Sequence, residues 1–357
     1  MKVSALDDNH RREALTMEEY HGWQVPAVYS NLEGECESAT TSTGIVDLSC
    51  YGRIEVTGAD RADLLHRLST NDLLKRTPGE VVETALVTDK GRLIDLLLLS
   101  FGDAEILVIS SPGNEERVVN WIGKYTITED IKLKSVTSST TMICLVGSKA
   151  FSAYESLFSG ELERGRSRQT TGHDGFHLAV GGGRNGLEMV HIVVPNSDAP
   201  RFWEHTTREG NRLGVKKMGL RSFEALRVAY GIPSIGSEIS DSYNPLEVGL
   251  RDAISFTKGC YIGQEVIARL DTYGKVQKVL VGLEFKDAVL PPGSSSGLSL
   301  NERAVGSVTS VLSEKIGGRF IGLGVVRLDA SAPDTLLNVQ SVSSSTTAIV
   351  TKLPMTT

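Results

Sequence analysis

The sequence predicts an α+β protein built from two related units and a smaller all-β domain. Three observations carry this. Alternating apolar and polar residues recur in hairpin-sized runs, each set followed by a stretch of helical spacing, first between residues 53 and 123 and again between 131 and 213. Composition changes near residue 280, beyond which Ser, Thr, Gly and Val dominate and no run has helical period. With 357 residues, 40% hydrophobic and 23% charged, the chain is long enough for several cores. On this reading residues 1–130 form a first α+β domain with an N-terminal extension, 131–275 a second, and 276–357 a β-barrel or sandwich. One large domain in place of the two units is the alternative.

The elements follow in order. A polar lead runs into a helix near 32–42. Arg53-Ile54-Glu55-Val56-Thr57 alternates as a strand and stops at Gly58; Asp60 then opens a helix whose Ala62, Leu64, Leu65 and Leu68 share a face. After Pro78-Gly79, strands at 81–88 and 92–100 are joined by Asp89-Lys90-Gly91-Arg92, a tight hairpin turn. A strand at 105–110 precedes a helix near 113–123. The second unit repeats the rhythm: strands at 131–137 and 140–146, a helix near 148–158, then strands at 176–180 and 187–194 joined by Gly181-Gly182-Gly183. Asn196 to Asp198 and Pro200 open a helix to about 213. A helix over 219–230 leads into an irregular stretch, 231–244, of the length that usually carries function. The tail is read as strands at 276–285, 304–312, 320–328, 335–340 and 346–353.

The net charge of −7 argues against a protein that lives by non-specific contact with nucleic acid or anionic membrane. No run approaches the roughly 18–20 apolar residues of a membrane span. The opening MKVSALDDNHRREALTMEEY has no apolar segment of a secretory signal. Cys36, Cys50, Cys144 and Cys260 are widely spaced with no C-x-x-C, so neither a disulfide scaffold nor a zinc finger is expected. A cytoplasmic location follows, with the mitochondrial matrix left open. His173 and His177 stand four apart, yet Asp174-Gly175 between them reads as a turn, so no metal site is expected. Glycines 181–183 lack both the G-x-G-x-x-G spacing and a Walker lysine.

The segment richest in chemistry is Thr257 to Arg269. A short apolar strand, Ala253 to Phe256, is expected to run into Gly259-Cys260, with a helix beginning at once and burying Ile262, Val266, Ile267 and Leu270. Unpaired N–H groups at that helix start, with Lys258 nearby, would favour a Cys260 thiolate. The alternative is a buried structural cysteine, the reading that Cys36, Cys50 and Cys144 receive.

Several motifs then fall into an order that resembles a known family. They are Gly22-Trp23-Gln24-Val25-Pro26, Gly44-Ile45-Val46-Asp47-Leu48-Ser49, Leu68-Ser69-Thr70-Asn71-Asp72, Gly91-Arg92-Leu93-Ile94-Asp95 and Thr171-Gly172-His173-Asp174-Gly175-Phe176. Together they resemble the aminomethyltransferase-like, folate-binding superfamily of the glycine-cleavage T-protein. The octapeptide Lys258-Gly259-Cys260-Tyr261-Ile262-Gly263-Gln264-Glu265 is similar to the signature of its YgfZ-type branch, which supports iron–sulfur proteins. The resemblance implies two ferredoxin-like-type α+β domains around a central cavity that receives tetrahydrofolate, plus a C-terminal small β-barrel. It implies Cys260 and Asp95 as catalytic residues, and Asp95, Arg227, Lys258, Tyr261 and Gln264 as folate contacts. Arg227 and Lys258 suit the carboxylates of the folate tail, while Arg227 as a snorkelling helix residue and Tyr261 as packing are the plain alternatives. Implied partners are folate and iron–sulfur proteins or their assembly factors.

The departures matter. T-proteins carry Asp-Asp where this chain has Asp95-Leu96, and their R-L-E-A-G segment is here Arg227-Val228-Ala229-Tyr230-Gly231. The glutamate of their G-F-E-I segment is His177. With two carboxylates gone, Asp95 is the remaining acid expected to face the ring, and folate binds with altered contacts, or another ligand or none fills the cavity. The preferred expectation is a tetrahydrofolate-binding protein supporting iron–sulfur cluster assembly or repair. A folate-dependent aminomethyltransferase or methyltransferase and a non-catalytic folate-binding adaptor are the alternatives.

Overall fold

A computed structural model describes residues 1–172, 175–286, 296–340 and 345–355. Two sheets face one another across a shared core, and a barrel closes the C-terminal end. The first sheet orders its strands Val81–Val87, Leu93–Phe101, Glu105–Pro112, Tyr51–Thr57 and Lys132–Ser135, all antiparallel. The second orders Ser167–Gly172, Gly175–Arg184, Leu187–Pro195, Thr140–Gly147, Thr43–Asp47 and Val215–Lys217. Along the chain, both units run strand, helix, three strands, helix, strand, with helices Arg61–Leu68 and Glu115–Lys124 in the first and Ala150–Phe158 and Ala199–Arg212 in the second. The order is the ferredoxin-like plan with one added strand.

Strand alternation explains the layers. Ile106 and Val108 turn outward onto Leu64, Leu65, Val118 and Ile122 of the helices, whereas Leu107 and Ile109 turn inward. In the second sheet, Ile143, Leu145, Val190 and Ile192 turn outward onto Tyr154, Phe202 and Trp203, while Cys144, Val146 and Met189 turn inward. The inward faces meet around helix Leu220–Ala229, which contributes Leu220, Phe223 and Leu226. Helix Leu32–Thr41 is opened by Asn31, whose side chain accepts from the Gly34 N–H at 2.8 Å. Asp60 flanks its helix but caps nothing in it; its carboxylate instead accepts from the Asp130 N–H at 2.8 Å.

The sheets do not divide at residue 130. Lys132–Ser135 completes the first sheet against Tyr51–Thr57, and Thr43–Asp47 belongs to the second, paired with Thr140–Gly147. The glycine run does not join two strands either. It continues a strand to Arg184, and the turn lies at Asn185-Gly186, whose φ of 54° and 91° suit a two-residue hairpin. A Cβ at Gly181 would meet the Glu163 carbonyl oxygen at 2.2 Å, which explains the missing side chain there. His173 and Asp174 lie outside the described residues.

Beyond helix Gln264–Thr272 the barrel runs Lys278–Phe285, Phe320–Arg327, Arg303–Val311, Ser296–Leu300, Leu336–Gln340 and Ser345–Thr351, and closes through the first and last of these. Closure removes the exposed edges of an open sheet. Its interior holds Leu283, Leu298, Leu337 and Val350, while Leu280, Leu323 and Val325 pack on the central core. Among the described residues no helix is long and apolar enough to cross a membrane.

Candidate functional site

The inward faces of the two sheets do not fill the space between them. A cavity remains between them. Leu96, Leu98, Ile109 and Ser111 line it from the first sheet, Arg184, Met189 and His191 from the second, and Phe223 and Arg227 from the central helix. The irregular stretch after that helix adds Ile232, Ser234 and Ile235. Most of the wall is apolar, with a few polar groups converging on it, the usual make-up of a small-molecule site.

A β-bulge decides which residue of the strand Leu93–Phe101 faces this space. Leu86 pairs with Asp95 but Val87 pairs with Leu93, so Ile94 is the extra residue and the alternation shifts there. Leu96 and Leu98 therefore pack towards the centre, and Asp95 turns away with Leu97 towards the helices. The Asp95 carboxylate is fully buried and accepts four bonds. The Ser111 hydroxyl and the Leu96 N–H reach Oδ1 at 2.5 and 2.8 Å; the Asn114 amide and the Ser111 N–H reach Oδ2 at 3.0 and 3.1 Å. Burial pushes its pKa up to about 6, and these donors oppose the rise. The acid expected to face a ligand thus ties two strands to the start of helix Glu115–Lys124.

Arg227 does line the cavity, but its guanidinium is engaged. Nε donates to Glu224 at 2.6 Å, Nη2 to the Ser310 hydroxyl at 3.1 Å, and Nη1 lies 3.7 Å from the buried Glu238. It joins the central helix to the barrel. The cavity's other cation, Arg184, pairs with Glu83 and donates to the Gly249 carbonyl at 3.3 Å, leaving its buried Nε without a partner. His191 is buried with its Nδ1 unpartnered, and burial lowers its pKa to about 4. Arg184, Glu83 and His191 escaped the sequence reading. The one available signal was polar residues on strands whose neighbours are apolar.

The segment around Cys260 sits elsewhere. Lys258 is buried, and its ammonium donates to the carbonyls of His66, Ser69 and Asn71 at 2.5, 2.8 and 2.8 Å, closing the C-terminal end of helix Arg61–Leu68. The same ammonium stands 4.9 Å from the centre of the buried Tyr261 ring. The Ile262 N–H donates to the Arg67 carbonyl at 3.0 Å. These contacts pin the segment to the first unit, with Cys260 exposed and outside the cavity wall. No strand forms at 253–256, where a single 3₁₀ turn, Arg251–Ala253, stands instead. The helix begins at Gln264, behind Gly263, whose φ of 81° and approach to the Thr88 carbonyl leave no room for a side chain. Val266 is exposed and Ile267 is its buried residue. Cys36, Cys50 and Cys144 are buried, and burial pushes their thiols up. His177 packs against Tyr154, Phe158 and Phe202 on the outer layer. Of the six residues expected at the site, only Arg227 is on the cavity wall. Among the described residues no three of His, Cys, Asp and Glu gather as a metal site would require.

Comparison with known proteins sets this geometry in context. A chloroplastic protein of Arabidopsis thaliana named "Putative transferase At1g60990" is 32% identical over 315 residues, covering 87% of this chain and 70% of its own. An aminomethyltransferase of Bacillus cytotoxicus is 27% identical over 342 residues, covering 94% and 93%. The crystal structure of the glycine cleavage system aminomethyltransferase T from Bartonella henselae superposes with a TM-score of 0.85 at 19% identity, covering 99% of this chain and 98% of that one. The family model described as the GCVT N-terminal domain matches residues 6–258. The chain therefore belongs to the GcvT-type aminomethyltransferase family, whose cosubstrate is tetrahydrofolate.

Proposed function

We propose that the central cavity binds a reduced folate, and that the protein uses it outside aminomethyl transfer, in support of iron–sulfur proteins as in the YgfZ-type branch. The observation that carries this is the register of the strand Leu93–Phe101. It turns Leu96 towards the cavity and leaves Asp95 with both oxygens occupied. The one carboxylate among the described lining residues, Glu83, is paired with Arg184. Release of ammonia from an aminomethyl group needs an acid or a fixed charge at the reacting nitrogen, and this wall offers no free one.

The wall nevertheless suits a flat heterocycle. Leu96, Leu98, Met189 and Phe223 offer apolar surface, and the Arg184 and His191 side chains bring polar groups to the same wall. Bound tetrahydrofolate supplies ring nitrogens that carry one-carbon units. Asp95 acts as a positioning residue that fixes the strand register. Lys258 and Tyr261 act by holding the segment that exposes Cys260 to a macromolecular partner, and Gln264 opens the helix that follows it. One cysteine supplies a single ligand, so any cluster there is cargo shared with that partner. A second reading, folate-dependent aminomethyl transfer, is favoured by the names of the relatives and by their nearly full coverage.

Calorimetric titration with 5-formyltetrahydrofolate, paired with an ammonia assay on aminomethylated lipoyl carrier and tetrahydrofolate, separates the two. The proposal expects binding near one to one and no ammonia. Turnover on the order of 1 s⁻¹, an ordinary enzyme rate, establishes the second reading instead.

A further inference from the structure

We infer that His191 is a ligand-binding residue of the central cavity, one that hydrogen-bonds an uncharged edge of the folate ring. The inference rests on the folate reading above and names one of its contacts. His191 lies mid-strand in Leu187–Pro195, and the residues beside it across the sheet are Val46, Cys144 and Val180. Its neighbours on both adjacent strands, Cys144 and Val180, are apolar or nearly so, and it is only 8% exposed. Among the described residues no hydrogen bond reaches either ring nitrogen, and Nδ1 is closed off entirely.

Packing alone does not call for this residue. A leucine or methionine would suit the row, and a buried polar group without a partner is a cost that folded proteins seldom carry unused. Nε2 is the nitrogen left to the cavity, whose wall His191 joins, since only Nδ1 is both buried and unpartnered. Gly182 faces it, and a Cβ there would stand 3.6 Å from Nε2 and 3.5 Å from Leu98. With burial holding its pKa near 4 and no charge acting on it, the imidazole is neutral at pH 7. One nitrogen then donates and the other accepts, which matches a lactam carbonyl or ring N–H better than a carboxylate or phosphate.

The test compares wild type with H191L and H191Q, using thermal unfolding without ligand and calorimetry with 5-formyltetrahydrofolate. H191L is expected to unfold about 2 °C higher, because the orphaned polar atoms are gone. It is also expected to bind the folate about tenfold more weakly, with H191Q, which keeps one donor and one acceptor, in between. A lower unfolding temperature for H191L makes His191 structural and overturns the inference. So does a folate Kd within twofold of wild type. If wild type takes up no folate, the proposed function and this contact fall together; loss confined to H191L leaves the function standing and confirms the contact.

Discussion

Replacing Asp95 with asparagine alters a carboxyl by one atom and asks whether it belongs to the scaffold or to the chemistry. A backbone N–H faces each of its oxygens, from Leu96 on Oδ1 and from Ser111 on Oδ2. Neither donor can turn away, so either orientation of the new amide points its NH₂ at an N–H. With the NH₂ at the Oδ1 position the Ser111 hydroxyl turns to accept from it, so one of the four bonds is lost and the buried Leu96 N–H is left unsatisfied. Bonds to a charged acceptor contribute about 1.5–3 kcal/mol each, and an orphaned donor costs about 1–3 kcal/mol. Removing a buried charge offsets part of that loss. The net expectation is about 2 kcal/mol of destabilisation, read as a lower urea midpoint with an unchanged slope. Folate affinity measured well below the unfolding transition should stay within about twofold, since the group faces the helices. A variant as stable as wild type that binds folate tenfold more weakly would refute the assignment of Asp95 to the scaffold.

Three further outcomes follow from the same geometry. Lys258→Met leaves three carbonyls at a helix end without their donor and should cost about 2–3 kcal/mol in urea unfolding, with folate affinity unchanged; tenfold weaker binding at full stability would instead make Lys258 a contact of the folate tail. Cys260→Ser, at an exposed position outside the cavity wall, should unfold and bind folate like wild type yet fail to rescue iron–sulfur enzyme activity in cells lacking the protein; full rescue removes the cysteine's role. His191 has a pKa near 4 when folded against 6.5 when free, so the fold carries no protonation penalty from it above pH 6.5 and loses stability as pH falls from 6.5 to 4. The difference of 2.5 pH units amounts to about 3 kcal/mol, and the stability difference between wild type and H191L should change by that amount between pH 7 and pH 4. A constant difference would mean that the imidazole is partnered or solvated.

Most helices and hairpins were legible because each carries its own period. The helix at Arg61–Leu68, the hairpin at 81–101 and the helix at Ala199–Arg212 fall within a few residues of their expected places. Pairing between distant segments was not legible. Nothing local in Thr43–Asp47 states that it will insert beside Thr140–Gly147, and this single pairing puts a strand from the start of the chain into the second sheet. The short polar elements Asp7–Glu13 and Thr16–Tyr20 carry too little apolar pattern to be seen, and take their structure from contact with the body of the protein. One residue decides where Asp95 points. Strict alternation from the inward Leu93 would have put Asp95 in the cavity, and the bulge at Ile94 reverses it. Lys258 and Tyr261 have the chemistry of ligand contacts, but a helix end and a cation–ring contact use it.

The most direct test is a crystal structure with 5-formyltetrahydrofolate bound. The ring should lie in the central cavity against Leu96, with His191 in hydrogen-bond reach and Asp95 still held by Ser111 and Asn114. Folate bound outside that cavity, or an Asp95 carboxylate swung round to touch the ring, would contradict the account.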